Sequence, residues 1–339
     1  MSPRRWKMDK MPKSTATVVS GWGNGVARDG AIVFRNDESA DWLVGVPQVP
    51  TRVPWERRIL FLTEPPMINE YEFRFIRQFG VVVSPYDIEG YTGRIVLDNP
   101  CLGWSAGSEA FDNFKTCRKT KEISIVSSLK KKRYGHRKRV SFLYELMKRY
   151  GNRMDYFGRD FAFVSNKFDA MAPYKYHIAI ENCNLVNYWT EKLTDAWMAW
   201  CLPIYCGDPS ILRKVPDPAG LEVIDISDVP SSLRYIDYIL KEDIYSSRLD
   251  AITRCREWAV KKSSLTERVC EIIESSLASV KNIPKLETGE IIHDWNEHRH
   301  TLAGEIEGAV SWCLGAMTVR KVKRAYGKIT RARKGSEVK

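Results

Sequence analysis

The sequence predicts an α/β protein with two doubly wound sheets, each covered by helices on both faces. Short β-branched segments recur between segments of helical periodicity, an alternation typical of parallel sheets. Several of these segments are apolar throughout, as in Ile59–Leu62 and Ile123–Val126, which is typical of strands buried on both faces. A length of 339 residues suits about two domains.

Ten strands are predicted, five in each half of the chain. They are Thr15–Ser20, Ala31–Phe34, Trp42–Val46, Arg58–Thr63 and Gly80–Ser84, then Ile123–Ser127, Met154–Phe157, Tyr176–Glu181, Pro203–Tyr205 and Glu222–Ile226. Helices are predicted where apolar residues recur three and four positions apart. These segments are Asn69–Phe79, Arg139–Arg149, Glu191–Trp200, Ser231–Leu240 and Ser246–Ser279.

The pattern of strands and helices divides the chain into two Rossmann-like domains, residues 1–117 and 118–285. Gly, Ser, Asn and Asp interrupt the alternation near residues 105–120, where the boundary is expected. Residues 286–317 are predicted to be a helical segment that packs back on the first domain. Residues 318–339 form a basic tail.

The positive charge lies mainly at the two ends of the chain. Of the net charge of +11, residues 1–13 contribute +4 and residues 318–339 contribute +8. The remaining residues are nearly neutral, whereas a nucleic-acid-binding domain more often has a basic stripe on its folded surface. We therefore predict no nucleic-acid partner, although a non-catalytic protein that binds nucleic acid or membranes through its tails is kept as an alternative.

The cysteines and the apolar segments bear on cellular location. Eight cysteines are scattered without CxxC pairs, so zinc-ligand spacing is absent and reduced thiols in the cytoplasm are expected. The longest nearly unbroken apolar segment, Ala196–Cys206, has eleven residues, fewer than the roughly 20 of a membrane-spanning helix.

The basic tail has two interpretations. Apolar residues at 319, 322, 326 and 329 lie on one helical face among cations, a pattern that suits the surface of an anionic bilayer. A disordered, solubilising tail would have a similar composition. The first interpretation predicts a cytoplasmic protein attached peripherally to the inner face of the membrane.

One stretch carries most of the chemical information. An apolar strand ends in Glu181-Asn182, a short loop carries Tyr188, and a helix opens with Thr190-Glu191-Lys192. Thr190 suits the N-cap position, and the first turn of a helix offers N–H groups to an anion. Lys192 adds a positive charge there, and Glu191 can accept hydrogen bonds from a ribose diol. These residues also suit an ordinary capped helix with a solvated lysine.

The order of these residues resembles the donor-binding signature of the family 10 glycosyltransferases, the α-1,3/1,4-fucosyltransferases, in their bacterial form. The matching elements are Tyr174-Lys175-Tyr176, Ile180-Glu181-Asn182-Cys183, Tyr188-Trp189-Thr190-Glu191-Lys192-Leu193 and Leu202-Pro203-Ile204-Tyr205-Cys206-Gly207. Cys183 stands where the family usually has Ser or Thr. The resemblance implies a GT-B fold, in which two Rossmann-like domains face a cleft, with the acceptor on the first domain and the donor on the second.

The resemblance also implies roles for individual residues. Glu191 would bind the ribose hydroxyls of GDP, Lys192 the diphosphate, and Asn182 and Tyr188 would line the donor pocket beside Thr190. Arg139 keeps the family's spacing to Phe142 and Leu146 and would be a second diphosphate ligand. A planar guanidinium matches two phosphate oxygens, which makes this assignment chemically sensible.

A transferase of this class also needs a general base for the acceptor hydroxyl. Glu64 follows the apolar segment Ile59–Leu62, so it lies at the carboxyl end of a strand, and it resembles the family's catalytic glutamate. An ion-paired glutamate at a strand end is an equal alternative. Glu70 and Glu72 are rival candidates for the base.

Together these features predict an inverting fucosyltransferase that uses GDP-fucose and a glycan acceptor, which in bacterial members is often lipid-linked. An α-1,3 or α-1,4 linkage is expected. Departing GDP would be stabilised by Arg139, Lys192 and the helix N-terminus. The chain has no DxD motif, so no metal or other cofactor is predicted. A GT-B enzyme that uses another nucleotide sugar is the second alternative.

Overall fold

Two separate sheets organise the computed structural model of this chain. The structure describes residues 14–18, 25–27, 32–35, 40–45, 51–66, 71–100, 118–129, 134–277, 288–290 and 292. The basic tail 318–339 and Glu70 lie outside the described residues, so the predictions made for them are not addressed by the structure.

The first sheet has seven strands and is parallel except at one edge. Its strands are β1 (Ser14–Val18), β2 (Gly25–Ala27), β3 (Ile32–Arg35), β4 (Trp42–Val44), β5 (Arg58–Phe61), β6 (Val81–Ser84) and β7 (Arg94–Leu97). Their order is β2-β3-β1-β4-β5-β6-β7, and β2 runs antiparallel to β3. The short apolar strands β4 and β6 are buried along their whole length.

The second sheet has five strands, and every pairing in it is parallel. Its strands are β8 (Lys121–Val126), β9 (Met154–Phe157), β10 (Tyr174–Ile180), β11 (Leu202–Cys206) and β12 (Glu222–Val223). The order is β12-β11-β10-β8-β9, a doubly wound arrangement in which the direction of winding reverses between β8 and β10. Ligands of such sheets bind at the carboxyl ends of the strands that flank this reversal.

Helices cover these sheets. They are α1 (Phe73–Ile76), α2 (Tyr134–Tyr150), α3 (Glu191–Met198), α4 (Val229–Glu242), α5 (Leu249–Lys262) and α6 (Leu265–Leu277). The periodicity of α2 explains its orientation, because Phe142, Leu143 and Leu146 are buried against the second sheet while Tyr144 and Lys148 are exposed. The same period-3.6 pattern gives each amphipathic helix one apolar face for the core.

The caps of the helices follow from local sequence. The Asp228 side chain accepts a hydrogen bond from the Ser231 N–H at the start of α4 (3.1 Å), and Pro230 occupies the first turn. Both residue types favour a helix N-terminus. Asp243 ends α4 in the left-handed region at φ 43°, a conformation that Asp tolerates better than most residues.

Strands are found at all ten predicted positions, with ends displaced by a few residues. Two strands, β2 and β7, were not predicted. The residues of β7 are partly or fully exposed, because β7 is an edge strand, so it lacks the continuous apolar pattern of a central strand. Within the described part of the predicted helix Asn69–Phe79, only α1 is helical.

The predicted helix Ser246–Ser279 is two helices, α5 and α6, separated at Ser263 and Ser264. The break redirects the chain, since α5 packs on the second sheet whereas Val269, Cys270 and Ile273 of α6 lie in the core of the first sheet. The predicted domain boundary at residue 285 would assign α6 to the second domain. The domain limits themselves stay a prediction.

Residues near position 290 also contact the first sheet. Glu290 exchanges two backbone hydrogen bonds with Thr51, and its carboxylate lies 2.6 Å from the Arg58 guanidinium. Ile292 is buried in the core formed by Leu43, Leu60 and their neighbours. These contacts involve the start of the segment 286–317, for which packing on the first domain was predicted. Within the described ranges, no helix has the length and apolarity needed to cross a membrane.

Candidate functional site

Polar side chains converge where the winding of the second sheet reverses. Ser128 follows β8, Asn182 follows β10, and Arg139 of α2 reaches both. Its Nη1 donates to Asn182 Oδ1 at 2.5 Å, and its Nη2 donates to Ser128 Oγ at 3.4 Å. Gly135 permits this approach, because a Cβ at that position would come within 1.9 Å of the Asn182 carbonyl oxygen.

Arg139 is a buried cation without a carboxylate at ion-pair distance among the described residues. Only 7% of it is exposed, and its Nε is buried without a hydrogen-bond partner. Burial lowers its pKa, and the negative charge of Glu181 opposes that effect. A buried cation that keeps unused donors is suited to binding an anion.

Glu181 connects the end of β10 to the start of α3. Its side chain is fully buried. It accepts hydrogen bonds from the Thr190 N–H at 2.7 Å and from the Thr190 hydroxyl at 2.8 and 3.0 Å. The Lys192 ammonium lies 3.7 Å from its second oxygen. The sequence motif contained Glu181, but no role was predicted for it.

Lys192 and Glu191 stand beside this buried carboxylate and are partly exposed, at 26% and 28% of their side chains. The Lys192 Nζ lies 3.4 Å from Glu191 and donates to Thr190 Oγ1 at 3.0 Å. Burial lowers the pKa of Lys192, but the negative charges of Glu181 and Glu191 raise it by more, so the pKa of Lys192 lies above its ordinary value. Lys192 therefore carries a full positive charge at neutral pH.

Lys167 is a second cation beside Glu191, and no sequence signal indicated it. It lies 3.5 Å from Glu191 and 3.9 Å from Asp195. Burial raises the pKa of Glu191, but Lys192 and Lys167 lower it more, so the carboxylate stays ionised. Lys167 belongs to a 3-10 turn, and only the packing of that turn against α3 brings it to the site.

The N–H groups at the start of α3 are already bonded. Thr190 is its N-cap, as predicted, and its hydroxyl accepts from the Lys192 N–H at 3.3 Å. The Thr190 N–H donates to Glu181, the Glu191 N–H lies against its own carboxylate, and the Leu193 N–H donates to the Thr190 carbonyl. The free N–H groups predicted for this turn are therefore occupied, so attraction for an anion comes from the side chains.

Tyr188 is buried between the two halves of the site. Burial raises its pKa, and the carboxylates of Glu181 and Glu64 raise it further. The preceding Asn187 adopts a left-handed conformation at φ 64°, which turns the loop so that Tyr188 points inward. Its hydroxyl stays protonated at all physiological pH values, so it can act only as a hydrogen-bonding group.

Glu64 follows β5 of the first sheet and faces the residues of the second sheet. It is half-buried, and its Oε2 accepts no hydrogen bond from the described residues. Burial raises its pKa, Lys192 lowers it, and Glu191 raises it. The structure thus brings Glu64 within electrostatic range of Lys192 and Glu191. The rival candidate Glu72 lies directly before α1.

Contacts at the end of β7 join the two sheets. Asn99, which follows β7, donates to the Trp189 carbonyl at 2.5 Å, directly before the N-cap of α3. Asp98 contacts Lys214, which follows β11, at 3.5 Å. These contacts hold the carboxyl ends of both sheets at one place.

A cavity adjoins the Glu191 side of this site. It is lined by Val126, Lys167, Met171, His177, Ile178, Ala179, Ile180, Glu191, Lys192 and Asp195. Its lining combines apolar side chains with charges of both signs, as in sites for small organic ligands. Over the part of the chain that the structure describes, no group of three or more His, Cys, Asp or Glu side chains is placed to hold a metal ion.

Residues 116–287, slightly more than half of the chain, match the family model "Glycosyltransferase family 10 (fucosyltransferase) C-term". The chain belongs to glycosyltransferase family 10. The match covers Arg139, Asn182, Tyr188 and the segment Thr190–Lys192, which confirms the resemblance seen in the sequence. Together with the two facing Rossmann-like sheets, it also confirms the predicted α/β fold of GT-B type.

Individual relatives of this family 10 chain match over shorter segments. The α-(1,3)-fucosyltransferase FucT of Helicobacter pylori is 32% identical over 76 residues, 22% of this chain and 16% of FucT. The GDP-fucose protein O-fucosyltransferase 3 of Gallus gallus is 29% identical over 111 residues, 28% of this chain and 23% of that protein. The matched segments thus span less than a quarter of these relatives.

Among solved structures, an α1,3-fucosyltransferase crystallised with GDP-fucose resembles the chain at 15% sequence identity. That match covers 85% of this chain and 96% of the solved chain, with a TM-score of 0.49.

Proposed function

We propose that this chain is an inverting fucosyltransferase, which transfers L-fucose from GDP-fucose to a hydroxyl group of a glycan. One observation carries the proposal. A half-buried carboxylate of the first sheet, Glu64, lies within electrostatic range of Lys192 and Glu191 of the second sheet. A base and a cationic leaving-group site on opposite walls of one cleft are what a direct displacement at a sugar carbon requires.

In the proposed reaction, the acceptor hydroxyl oxygen attacks the anomeric carbon of the fucose while the bond from that carbon to the diphosphate oxygen breaks. Glu64 takes the proton of the hydroxyl. Burial raises the pKa of Glu64, which makes its carboxylate a stronger base once ionised. One displacement inverts the β-linked donor to an α-linked product, for which an α-1,3 or α-1,4 linkage is proposed.

The leaving GDP gains negative charge as the bond breaks, and two cations are available to stabilise it. Arg139 supplies a guanidinium with an unpaired N–H, and Lys192 supplies an ammonium that is partly exposed. Such charge stabilisation is often the largest contribution to catalysis. Glu191 would accept hydrogen bonds from the ribose, while Asn182, Tyr188 and Thr190 border the donor pocket.

The nucleoside would extend from Glu191 toward the adjoining cavity. Glu191 lines that cavity together with Lys167 and Asp195, so a ribose held by Glu191 has its base directed at both charged and apolar groups. This placement supports a nucleoside diphosphate donor, although it does not choose between sugars.

The test is a panel of nucleotide sugars, including GDP-fucose, GDP-mannose, UDP-glucose and UDP-GlcNAc, with oligosaccharides containing GlcNAc or glucose as acceptors. Transfer or slow hydrolysis with GDP-fucose alone supports the proposal. Turnover of another donor would favour the alternative of a different GT-B transferase. Salt-sensitive RNA binding without affinity for GDP would favour a non-catalytic basic protein.

We propose further that the reaction needs no metal ion or other cofactor, since Arg139 and Lys192 can neutralise the diphosphate. Activity should then persist in EDTA. Complete loss in EDTA that manganese restores would contradict this part of the proposal.

A cytoplasmic location, with the protein attached to the inner face of the membrane through residues 318–339, is proposed on the basis of sequence. A lipid-linked glycan acceptor would suit that location. Deletion of these residues should lower binding to anionic vesicles and spare turnover of a soluble acceptor. Equal vesicle binding by both forms would reject the membrane role.

A further inference from the structure

We infer that Glu181 is a positioning residue for the donor: its buried carboxylate holds the Lys192 ammonium charged and directed at the leaving diphosphate. The inference rests on the proposed function and assigns a role to a residue that the mechanism above does not use. Glu181 itself cannot touch the donor, because its side chain is fully buried, whereas that of Lys192 is 26% exposed.

Burial raises the pKa of Glu181, and the Lys192 charge and the hydrogen bonds from Thr190 oppose that rise; the contacts around the carboxylate are those that favour its ionised form. Its two oxygens face only donors in the described part of the site: the Thr190 N–H at 2.7 Å, the Thr190 hydroxyl at 2.8 Å and the Lys192 ammonium at 3.7 Å. Because the Thr190 hydroxyl donates to Glu181, its lone pair accepts from the Lys192 ammonium at 3.0 Å. Glu181 therefore orients Lys192 both directly and through Thr190.

Other charged and titratable groups lie around the Lys192 ammonium. Glu181 approaches from the end of β10, Glu191 from α3, Glu64 from the first sheet and Arg139 from α2. The thiol of Cys183 is a further neighbour and stays protonated, since burial raises its pKa to about 12.

The charge of Glu181 is the largest single attraction on Lys192. Burial lowers the pKa of Lys192, whereas the charge of Glu181, followed by the charge and the hydrogen bond of Glu191, raises it. Without the Glu181 charge, a lysine in this position, next to the Arg139 cation, would lose its proton at lower pH. The diphosphate would then meet a neutral amine. Glu181 thus extends the pH range over which Lys192 stays charged, and it also orients the ammonium.

The test compares Glu181→Gln with the unaltered chain, with GDP binding measured by calorimetry from pH 7 to 11. Glutamine keeps the shape and an acceptor for the Thr190 N–H but removes the charge. GDP affinity should be similar at pH 7 and should fall with rising pH as Lys192 loses its proton. The midpoint of that fall should move to lower pH by about 1 to 3 units, the effect of losing a nearby opposite charge.

Two further variants isolate this effect. Lys192→Arg, alone and combined with Glu181→Gln, should lack the alkaline fall because a guanidinium stays charged, while the titration of GDP itself is common to all variants. Glu222→Gln is the matched control, because Glu222 is also a buried carboxylate of the second sheet but bonds to Tyr235 and Arg248. It should leave the midpoint unchanged.

The outcomes separate the inference from the function on which it rests. Equal weakening of GDP binding at every pH, or an unmoved midpoint, would overturn the role of Glu181 alone. Absence of GDP binding by the unaltered chain would overturn the proposed function. If Glu181→Gln fails to fold, the pH dependence of GDP binding by the unaltered chain is the test. The alkaline fall in its GDP affinity should be absent in Lys192→Arg and should have its midpoint above about 10.4, the ordinary lysine pKa. A lower midpoint rejects the inference.

Discussion

Replacement of Arg139 by methionine should leave the unliganded protein as stable as before while removing most of its affinity for GDP. Arg139 is a buried cation with one unpaired N–H and no described carboxylate at ion-pair distance. Replacing a buried ion pair by apolar side chains of similar volume is often neutral or stabilising by about 1–4 kcal/mol, and a buried cation without an ion-pair partner has the cost of burial without the compensating attraction. Its partners Asn182 and Ser128 are partly exposed, so water can replace the lost hydrogen bonds.

The loss of affinity follows from the contacts that Arg139 would make with the diphosphate. Hydrogen bonds to charged groups contribute about 1.5–3 kcal/mol each, so loss of one guanidinium–phosphate contact should cost about 3 kcal/mol, or roughly 150-fold in Kd. At a GDP concentration about 1,000 times the original Kd, the stabilisation by ligand should fall from about 4 to about 1 kcal/mol.

Thermal unfolding with and without GDP measures both effects. One kcal/mol corresponds to roughly 2–4 °C for domains of this size, so the rise in Tm caused by GDP should shrink from about 8–16 °C to about 2–4 °C. Arg149→Met is the matched control, because Arg149 is on the same helix but exposed and paired with Asp237. A large fall in the Tm of unliganded Arg139→Met, with GDP affinity retained, would refute the reasoning.

Three further predictions concern catalysis and stability. Glu64→Gln should lower kcat by about 10²–10⁴-fold and spare GDP binding. Because burial raises the pKa of Glu64, kcat/KM of the unaltered chain should fall at acid pH with a midpoint above about 4.3, the ordinary pKa of glutamate. A lower midpoint would count against Glu64 as the base. Burial lowers the pKa of His177 to about 3, so as the pH falls the unfolded chain takes up a proton at this histidine before the folded chain does. The free energy of unfolding therefore keeps the full contribution of neutral His177 above about pH 6.5 and loses it as the pH falls toward 3. The loss should be about 2 kcal/mol between pH 7 and 5. His177→Gln should reduce that difference in urea unfolding, and an equal difference in both proteins would contradict it. Trp197 is fully buried and donates to the Gly220 carbonyl at 2.8 Å, so Trp197→Ala should lower the free energy of unfolding by about 3–5 kcal/mol; a loss below about 1 kcal/mol would show that the core refills the space.

The strands were predictable because their residues carry the information locally. Five of the seven residues of β10 are apolar or aromatic, and all but Lys175 are buried, a pattern typical of a central strand. In contrast, β7 lies at a sheet edge, where its two end residues are exposed and its two middle residues are only partly buried. It is held by its pairing with β6, which the residues of β7 do not themselves indicate.

The break between α5 and α6 shows a second limit. Helical periodicity continues through Ser263 and Ser264, and neither residue excludes a helix. What decides the break is the destination of each apolar face: Ile252 packs in the second core, and Val269 in the first. Periodicity specifies that a helix has an apolar face but not which sheet receives it.

The donor motif was visible in the sequence because most of its residues lie within one strand, loop and helix. Thr190 is a cap because its side chain reaches the N–H of Lys192 two residues later, an interaction that depends on local geometry alone. The chemical character of this segment, and with it the membership of the family, therefore followed from the order of residues.

Only the tertiary structure could bring Glu64 of the first sheet to Lys192 and Glu191 of the second, or place Lys167 beside them. It also revealed that Glu181 bonds the Thr190 N–H and that Arg139 is buried without a described counter-ion. The reason is physical: a hydrogen bond within a helix depends on neighbours a few residues away, whereas burial and charge at a cleft depend on how both sheets pack.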